Sequence, residues 1–151
     1  MTESVDEFLL IKDIMTSPVL SVTLSHTVSY VLKLAKDKNV TGFPVVDIEN
    51  KVIGVVSTLD LITEIAVGKL NLRLGELPLA IKAEKHVINL SPDTLVKDAV
   101  LSLIKNHVGR IIITDDDNKL CGIVSRKDLI NFFFEINKLD QIPEQVGWLD
   151  K

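Results

Sequence analysis

The sequence predicts an α/β (α+β) protein made of two repeated units, each running strand, helix, strand, strand, helix (β-α-β-β-α). Three observations predict it. The stretch Gly54-Val55-Val56-Ser57-Thr58-Leu59-Asp60 returns as Gly122-Ile123-Val124-Ser125-Arg126-Lys127-Asp128, 68 residues further on, and a repeat at a fixed distance marks a reused structural unit. The same offset aligns residues 19–62 with 87–130 without a gap and leaves twelve identical positions, among them Val40/Val108, Asp47/Asp115, Asn50/Asn118 and Lys51/Lys119. Within each copy, short β-branched runs alternate with stretches whose apolar residues recur at helical spacing.

In chain order, Val5, Phe8, Leu9, Ile11 and Ile14 are spaced roughly as on a helix, so residues 1–10 are expected to be a helical arm. Pro18 breaks it. Residues 19–22 read as a strand, and Ser25 as the N-cap of a helix over 26–38 whose apolar face is Val28, Val31, Leu32 and Ala35. Residues 42–47 and 51–56 form a hairpin about Glu49-Asn50. A helix beginning near Ser57 carries Leu59, Leu61, Ile62 and Ile65. Adding 68 predicts a strand at 87–90, a cap at Asp93, a helix over 94–106, a hairpin of 110–114 and 119–124, and a closing helix from Arg126. The connector, 63–86, should extend the first unit's helix to a turn near residues 71–78. The expected domains are 11–68 and 79–137, with a C-terminal tail at 138–151. Phe132, Phe133 and Phe134 face a core or a partner subunit, and Trp148 in the tail needs a docking surface.

A chain that is 46% hydrophobic and 25% charged, with seven glycines and five prolines, is globular in composition. Its formal charge of −4 and scattered basic residues disfavour a nucleic acid partner. No apolar run approaches the ~18–20 residues of a membrane helix. The acidic start is not that of a signal peptide, so a cytoplasmic location is expected. Cys121 cannot form an internal disulfide and reads as a small buried hydrophobe. His26, His86 and His107 lack metal-ligand spacing, and Asp115-Asp116-Asp117-Asn118 reads as a solvated hairpin turn. With no Gly-rich phosphate loop, nucleophile elbow or paired acids, no catalytic residue, metal or catalytic cofactor is assigned.

The repeated stretch has the groups that a nucleotide needs. A phosphate is favoured at a helix N-terminus, where Ser57 and Ser125 fall. One carboxylate can accept both ribose hydroxyls, and Asp60 and Asp128 stand one turn further on. A glycine such as Gly54 or Gly122 lets backbone approach a base closely. The competing reading is a pair of capping boxes, each stabilising its helix by about 1 kcal/mol. Two copies, each following a hairpin, favour binding, and the two roles are compatible.

Four stretches carry a family resemblance: Ile11-Lys12-Asp13-Ile14-Met15-Thr16, Val19-Leu20-Ser21-Val22, Val40-Thr41-Gly42-Phe43-Pro44-Val45-Val46-Asp47 and Gly54 to Asp60. With their second copies they resemble two CBS domains (named from cystathionine β-synthase) in tandem, a Bateman module. The resemblance implies two units packed through their sheets with pseudo-two-fold symmetry, and adenosine-ligand clefts between them. It also implies no chemistry on the ligand, and a conformational signal to a regulated partner. AMP, ADP or ATP is the expected ligand, S-adenosylmethionine the alternative, and a structural interaction module without a ligand the rival reading. By residue, Asp60 and Asp128 would hold ribose, and Ser57, Thr58 and Ser125 would lie by the phosphates. Thr41, Gly42, Phe43 and Pro44 would border the base, with Val22 and Thr23 nearby and Ile111 in Phe43's place in the second copy. Arg110 and Arg126 would pair with phosphate, which suits the guanidinium fork. The second copy departs from the pattern: the offset puts Lys82-Ala83-Glu84 where the first has Ile14-Met15-Thr16, and Ile111-Ile112-Ile113 where it has Phe43-Pro44-Val45. Unequal sites are therefore expected. A homodimer is expected as well, because a disc of four units can bury the apolar helix faces of two chains.

Overall fold

The structure is a computed structural model and describes residues 9–68, 70–77, 81–82, 88–106 and 110–137. Its elements are α1 (Val28–Lys38), β1 (Gly42–Val46), β2 (Val52–Ser57), α2 (Thr58–Ala66), β3 (Ile81–Lys82), β4 (Asn89–Leu90), α3 (Val96–Asn106), β5 (Arg110–Thr114), β6 (Leu120–Ser125) and α4 (Arg126–Asn137).

Each unit is built on a hairpin that the repeated residues dictate. β1 pairs antiparallel with β2 from Gly42↔Ser57 to Val46↔Val52, and β5 with β6 from Arg110↔Ser125 to Thr114↔Leu120; both have an irregularity before the last pair. At each turn one aspartate accepts two backbone N–H groups. Asp47 Oδ1 takes those of Glu49 (2.8 Å) and Lys51 (2.9 Å), and Asp115 Oδ1 those of Asp117 (2.9 Å) and Lys119 (2.9 Å). Asn50 and Asn118 follow at φ 66° and 63°, left-handed positions that asparagine tolerates better than most residues.

The hairpins join two three-stranded sheets, ordered β1-β2-β3 and β4-β5-β6. β4 lies parallel to β5. The strand expected at 19–22 is shorter than its counterpart: only Val22 bridges Val45, its N–H donating to Pro44 O (3.0 Å) and its carbonyl accepting from Val46 N–H (2.9 Å). Both expected first-helix caps move. Thr27, not Ser25, caps α1, its hydroxyl accepting from Tyr30 N–H at 3.2 Å. α3 begins at Val96, and Asp93 instead pairs with Lys12 at 3.2 Å.

Alternation along β1 and β5 sorts the apolar side chains onto two faces. Phe43, Val45 and Val56 pack with Val28, Val31, Ala35 and Leu61 under α1 and α2. Ile111, Ile113 and Val124 do the same with Val96, Ala99, Leu103, Leu129 and Phe132. Val46, Val52 and Ile112 turn the other way and form a third cluster with Val55, Leu120 and Ile123 packed against it. The two units thus meet through their sheets. The pseudo-two-fold passes near the Lys51↔Lys119 bridge. Around it Val52 N–H donates to Asn118 O (3.1 Å) and Leu120 N–H to Asn50 O (3.0 Å), while Asn118 Nδ2 reaches Val52 O (3.0 Å) and Asn50 Nδ2 reaches Leu120 O (3.3 Å).

The opening segments do not stay where the 68-residue offset put them. Residues 1–8 of the expected helical arm lie outside the described residues. Leu10 is extended and leads into a 3-10 turn, Ile11–Asp13. Ile11 is fully buried in the core of the second unit, its N–H donating to Thr94 O (2.7 Å), and Thr16 and Ile123 exchange backbone bonds of 2.9 and 3.1 Å. The matching turn is Leu74–Glu76, with Leu74 fully buried in the first unit's core and its N–H on His26 O (2.9 Å). In both turns an acid accepts the N–H three residues back: Asp13 from Leu10 (3.3 Å) and Glu76 from Arg73 (2.8 Å). The second copy has therefore not lost its opening, as the alignment with Lys82-Ala83-Glu84 implied. Leu74 lies 63 positions after Ile11, so five extra residues separate that opening from the strand that follows. β3 then pairs with β2, which keeps the chain through Lys82 on the first unit.

Candidate functional site

Strand β2 runs straight into α2, so the residue at the junction must be extended and must also satisfy the first helical N–H groups. Ser57 does both, at φ −105° and ψ 154°: its hydroxyl accepts from Asp60 N–H (3.2 Å) and donates to Asp60 Oδ2 (2.7 Å). Ser125 and Asp128 repeat this, with Ser125 N–H (2.9 Å) and Oγ (3.1 Å) donating to Asp128 Oδ2 and Asp128 N–H to Ser125 Oγ (3.2 Å). The capping interactions are thus made in both copies, and they hold each carboxylate half-buried at the start of its helix. Asp128 Oδ1 also receives the Thr16 hydroxyl at 3.4 Å.

Beside the first of these helix starts is a mostly apolar cleft of about 270 Å³. Val40, Gly42, Phe43 and Pro44 form one side, Thr16, Pro18, Val19 and Leu20 of the arm another, and Ile123 of β6 completes it. Thr41 joins the cleft rim to the helix: its carbonyl accepts both Thr58 N–H (2.9 Å) and Thr58 Oγ1 (3.2 Å). The Thr41 to Pro44 turn and the Ser57 to Asp60 turn are therefore neighbours.

Arg110 enters this rim from the other unit. Its Nη2 donates to Thr41 Oγ1 at 2.8 Å, and the guanidinium lies so close over Gly42 that a Cβ there would collide with it. Gly42 and Arg110 are equivalent positions brought together by the pseudo-symmetry, and the glycine makes room for the arginine. Desolvation by burial pushes the Arg110 pKa below its ordinary value. Arg110 forms no ion pair with a carboxylate among the described residues.

Other expected site residues lie elsewhere. Val22 and Ile111 are fully buried core residues and present no side chain to the cleft. Thr23 is held in a local turn, its N–H on His26 Nδ1 (3.1 Å) and its hydroxyl bonded to Ser25 Oγ (2.8 Å). Arg126 is exposed at the first position of α4. Gly122 admits protein and not ligand, because a Cβ there would run into Met15. Thr16, Pro18, Val19, Leu20, Val40 and Ile123 were not anticipated at the cleft. The positions 68 residues beyond Thr16, Pro18, Val19, Val40 and Thr41 fall in 84–87 and 108–109, outside the described residues. A more polar cleft of about 250 Å³ is lined by Asp13, Ile14, Asp128, Asn131, Phe132 and Glu135. No group of three or more His, Cys, Asp or Glu side chains among the described residues could hold a metal ion. The Cys121 thiol is pushed up, first by burial and then by the charge of Asp115. No helix among the described residues is long and apolar enough to cross a membrane.

The family model described as CBS domain matches this chain twice, over residues 11–67 and 80–135. The chain belongs to the CBS domain family. This CBS pair is 32% identical to protein MJ1426 of Methanocaldococcus jannaschii, over 82% of its own length and 90% of that protein. Other relatives from the same archaeon are longer, and the pair spans only 37% and 42% of them. Among solved structures it superposes on CBSX2 of Arabidopsis thaliana in complex with AMP, with a TM-score of 0.71 and 26% identity over 85% of this chain and 98% of that one. It also superposes on the CBS domain pair of protein MJ0100 in complex with 5'-methylthioadenosine and S-adenosyl-L-methionine. There the TM-score is 0.72 at 21% identity, again over 85% and 98%, a likeness of fold.

Proposed function

We propose that this CBS pair is a non-catalytic regulatory module that binds an adenosine nucleotide (AMP, ADP or ATP) in the cleft between its units and signals to a partner by conformational change. One observation carries the reading: an apolar slot of about 270 Å³ adjoins a capped helix start bearing a carboxylate, with an arginine of the other unit on its rim. The base enters between Phe43, Pro44 and the arm. Asp60 accepts ribose hydroxyls, and the phosphate lies between the start of α2 and Arg110, where helix dipole and guanidinium both favour an anion. The AMP complex of CBSX2 supports this choice of ligand. Arg110 disfavours S-adenosylmethionine, whose cationic sulfonium would face it. The apolar residues exposed on α2 (Leu59, Ile62, Ile65) and α4 (Ile130, Phe134) support a homodimer, which light scattering at working concentration would test.

Isothermal titration of the whole chain with AMP, ADP, ATP and S-adenosylmethionine tests the ligand. Nucleotide binding that is weakened by Asp60→Ala, together with a nucleotide-dependent rise in Tm, is the expected result. The structural reading is favoured by the Ser57–Asp60 and Ser125–Asp128 pairs, which cap helices whether or not a ligand binds. If Asp60→Ala lowers Tm while no adenosine ligand binds or raises it, that reading stands instead.

A further inference from the structure

We infer that Thr41 is a positioning residue: its hydroxyl holds the Arg110 guanidinium of the other unit beside the start of α2, so that the affinity of the cleft for a phosphate depends on a contact made across the two units. This rests on the nucleotide reading and names the residue that aims its cation. Val40 and Gly42, on either side of Thr41, line the apolar cleft, whereas Thr41 does not. Its polar atoms are engaged with two other elements. The carbonyl accepts Thr58 N–H (2.9 Å) and Thr58 Oγ1 (3.2 Å), which ties the residue to the first turn of α2, and the hydroxyl accepts Arg110 Nη2 (2.8 Å). One residue thus sets the distance between a helix N-terminus and a guanidinium, two groups that favour an anion.

Arg110 needs such a hold. A guanidinium carries five N–H donors and no acceptor, and among the described residues this one makes a single side-chain hydrogen bond, to Thr41, and no ion pair. It is half-buried, and burying a charge without a partner is unfavourable. An anion at the start of α2 would relieve that. Gly42 supplies the room, since a Cβ there would meet Arg110 first and the Val56 carbonyl oxygen next. The offset of 68 sets Gly109 against Thr41 and Arg110 against Gly42. Hydroxyl and guanidinium therefore occur once each, in different units, and their contact has no counterpart about the pseudo-two-fold.

Isothermal titration of the whole chain with AMP and with adenosine separates aiming from packing, because only AMP carries the phosphate. Thr41→Val keeps the branched shape and the backbone carbonyl but removes the acceptor; it should lower the ratio of AMP to adenosine affinity by about 3–10-fold. Arg110→Met should lower that ratio by about 10–100-fold, and adding Thr41→Val to it should change the ratio no further. Thr41→Ser, which puts the acceptor back, should restore the parent's ratio. An unchanged ratio in Thr41→Val, whether both affinities fall together or neither moves, overturns the inference alone, as do additive losses in the double variant. A parent chain that binds neither ligand overturns the nucleotide reading and this inference with it.

Discussion

Replacing Ile11 with alanine should damage the second unit, although Ile11 lies at the start of the first repeat. The side chain is fully buried among Val96, Ala99, Ile111, Ile113 and Leu129. Removing three carbons there costs lost transfer energy plus the residual cavity, about 2–5 kcal/mol for a buried Ile or Leu to Ala change. About 3 kcal/mol is reasonable for a site in a small core. At about 2–4 °C per kcal/mol for a chain of this size, Tm falls by about 6–12 °C. Hydrogen exchange on the full chain locates the damage, since local openings are resolved element by element. Ile11→Ala should cost protection first in α3, β5 and β6, and Leu74→Ala in α1, β1 and β2. A loss below about 1 kcal/mol for Ile11→Ala, or protection lost first in α1 and β1, would refute the placement of the arm.

Gly122→Ala brings a Cβ into the Met15 side chain and should cost about 1–3 kcal/mol through overpacking. Because the thioether is flexible, Met15→Ala in the same chain should recover most of that loss in urea denaturation. Asn118→Ala removes both a left-handed turn residue and the bond to Val52 O, so a loss of about 2–3 kcal/mol is expected. Asn118→Gly keeps the backbone conformation and should cost only about 1 kcal/mol, the share of the cross-unit bond, as measured by thermal unfolding.

The hairpins, the starts of α2 and α4 and the two capping pairs were legible because each depends on residues close together in sequence. Asp47 and Asn50 close a turn and Ser57 and Asp60 cap a helix, each pair three residues apart. The cleft was half legible for the same reason. Thr41 to Pro44 and Thr58 lie within one unit, but Thr16, Pro18 and Ile123 reach the site only because the arm crosses to β6, and no local pattern announces that. Arg110 was recognisable as a basic residue near a pocket. Its partner, Thr41 in the other unit, followed only from the pseudo-symmetry that sets equivalent positions face to face. The offset of 68 misled where it was extended upstream of residue 19, since spacing alone cannot tell a lost opening from one displaced by five residues. Val22 and Ile111 were assigned to the site from position in the pattern, whereas both are fully buried in the cores of their units.

The crossing of the arm limits how this molecule can move. A swing of one unit away from the other would have to extract Ile11 from a hydrophobic core and peel Thr16 from the edge of β6, while also separating Asn50 and Asn118 from the opposing hairpins. Such a motion approaches unfolding in cost. The two halves are better regarded as buckled than as hinged. A ligand's effect would then be carried by small displacements of side chains at the rim, with Arg110 and Thr41 as its moving parts.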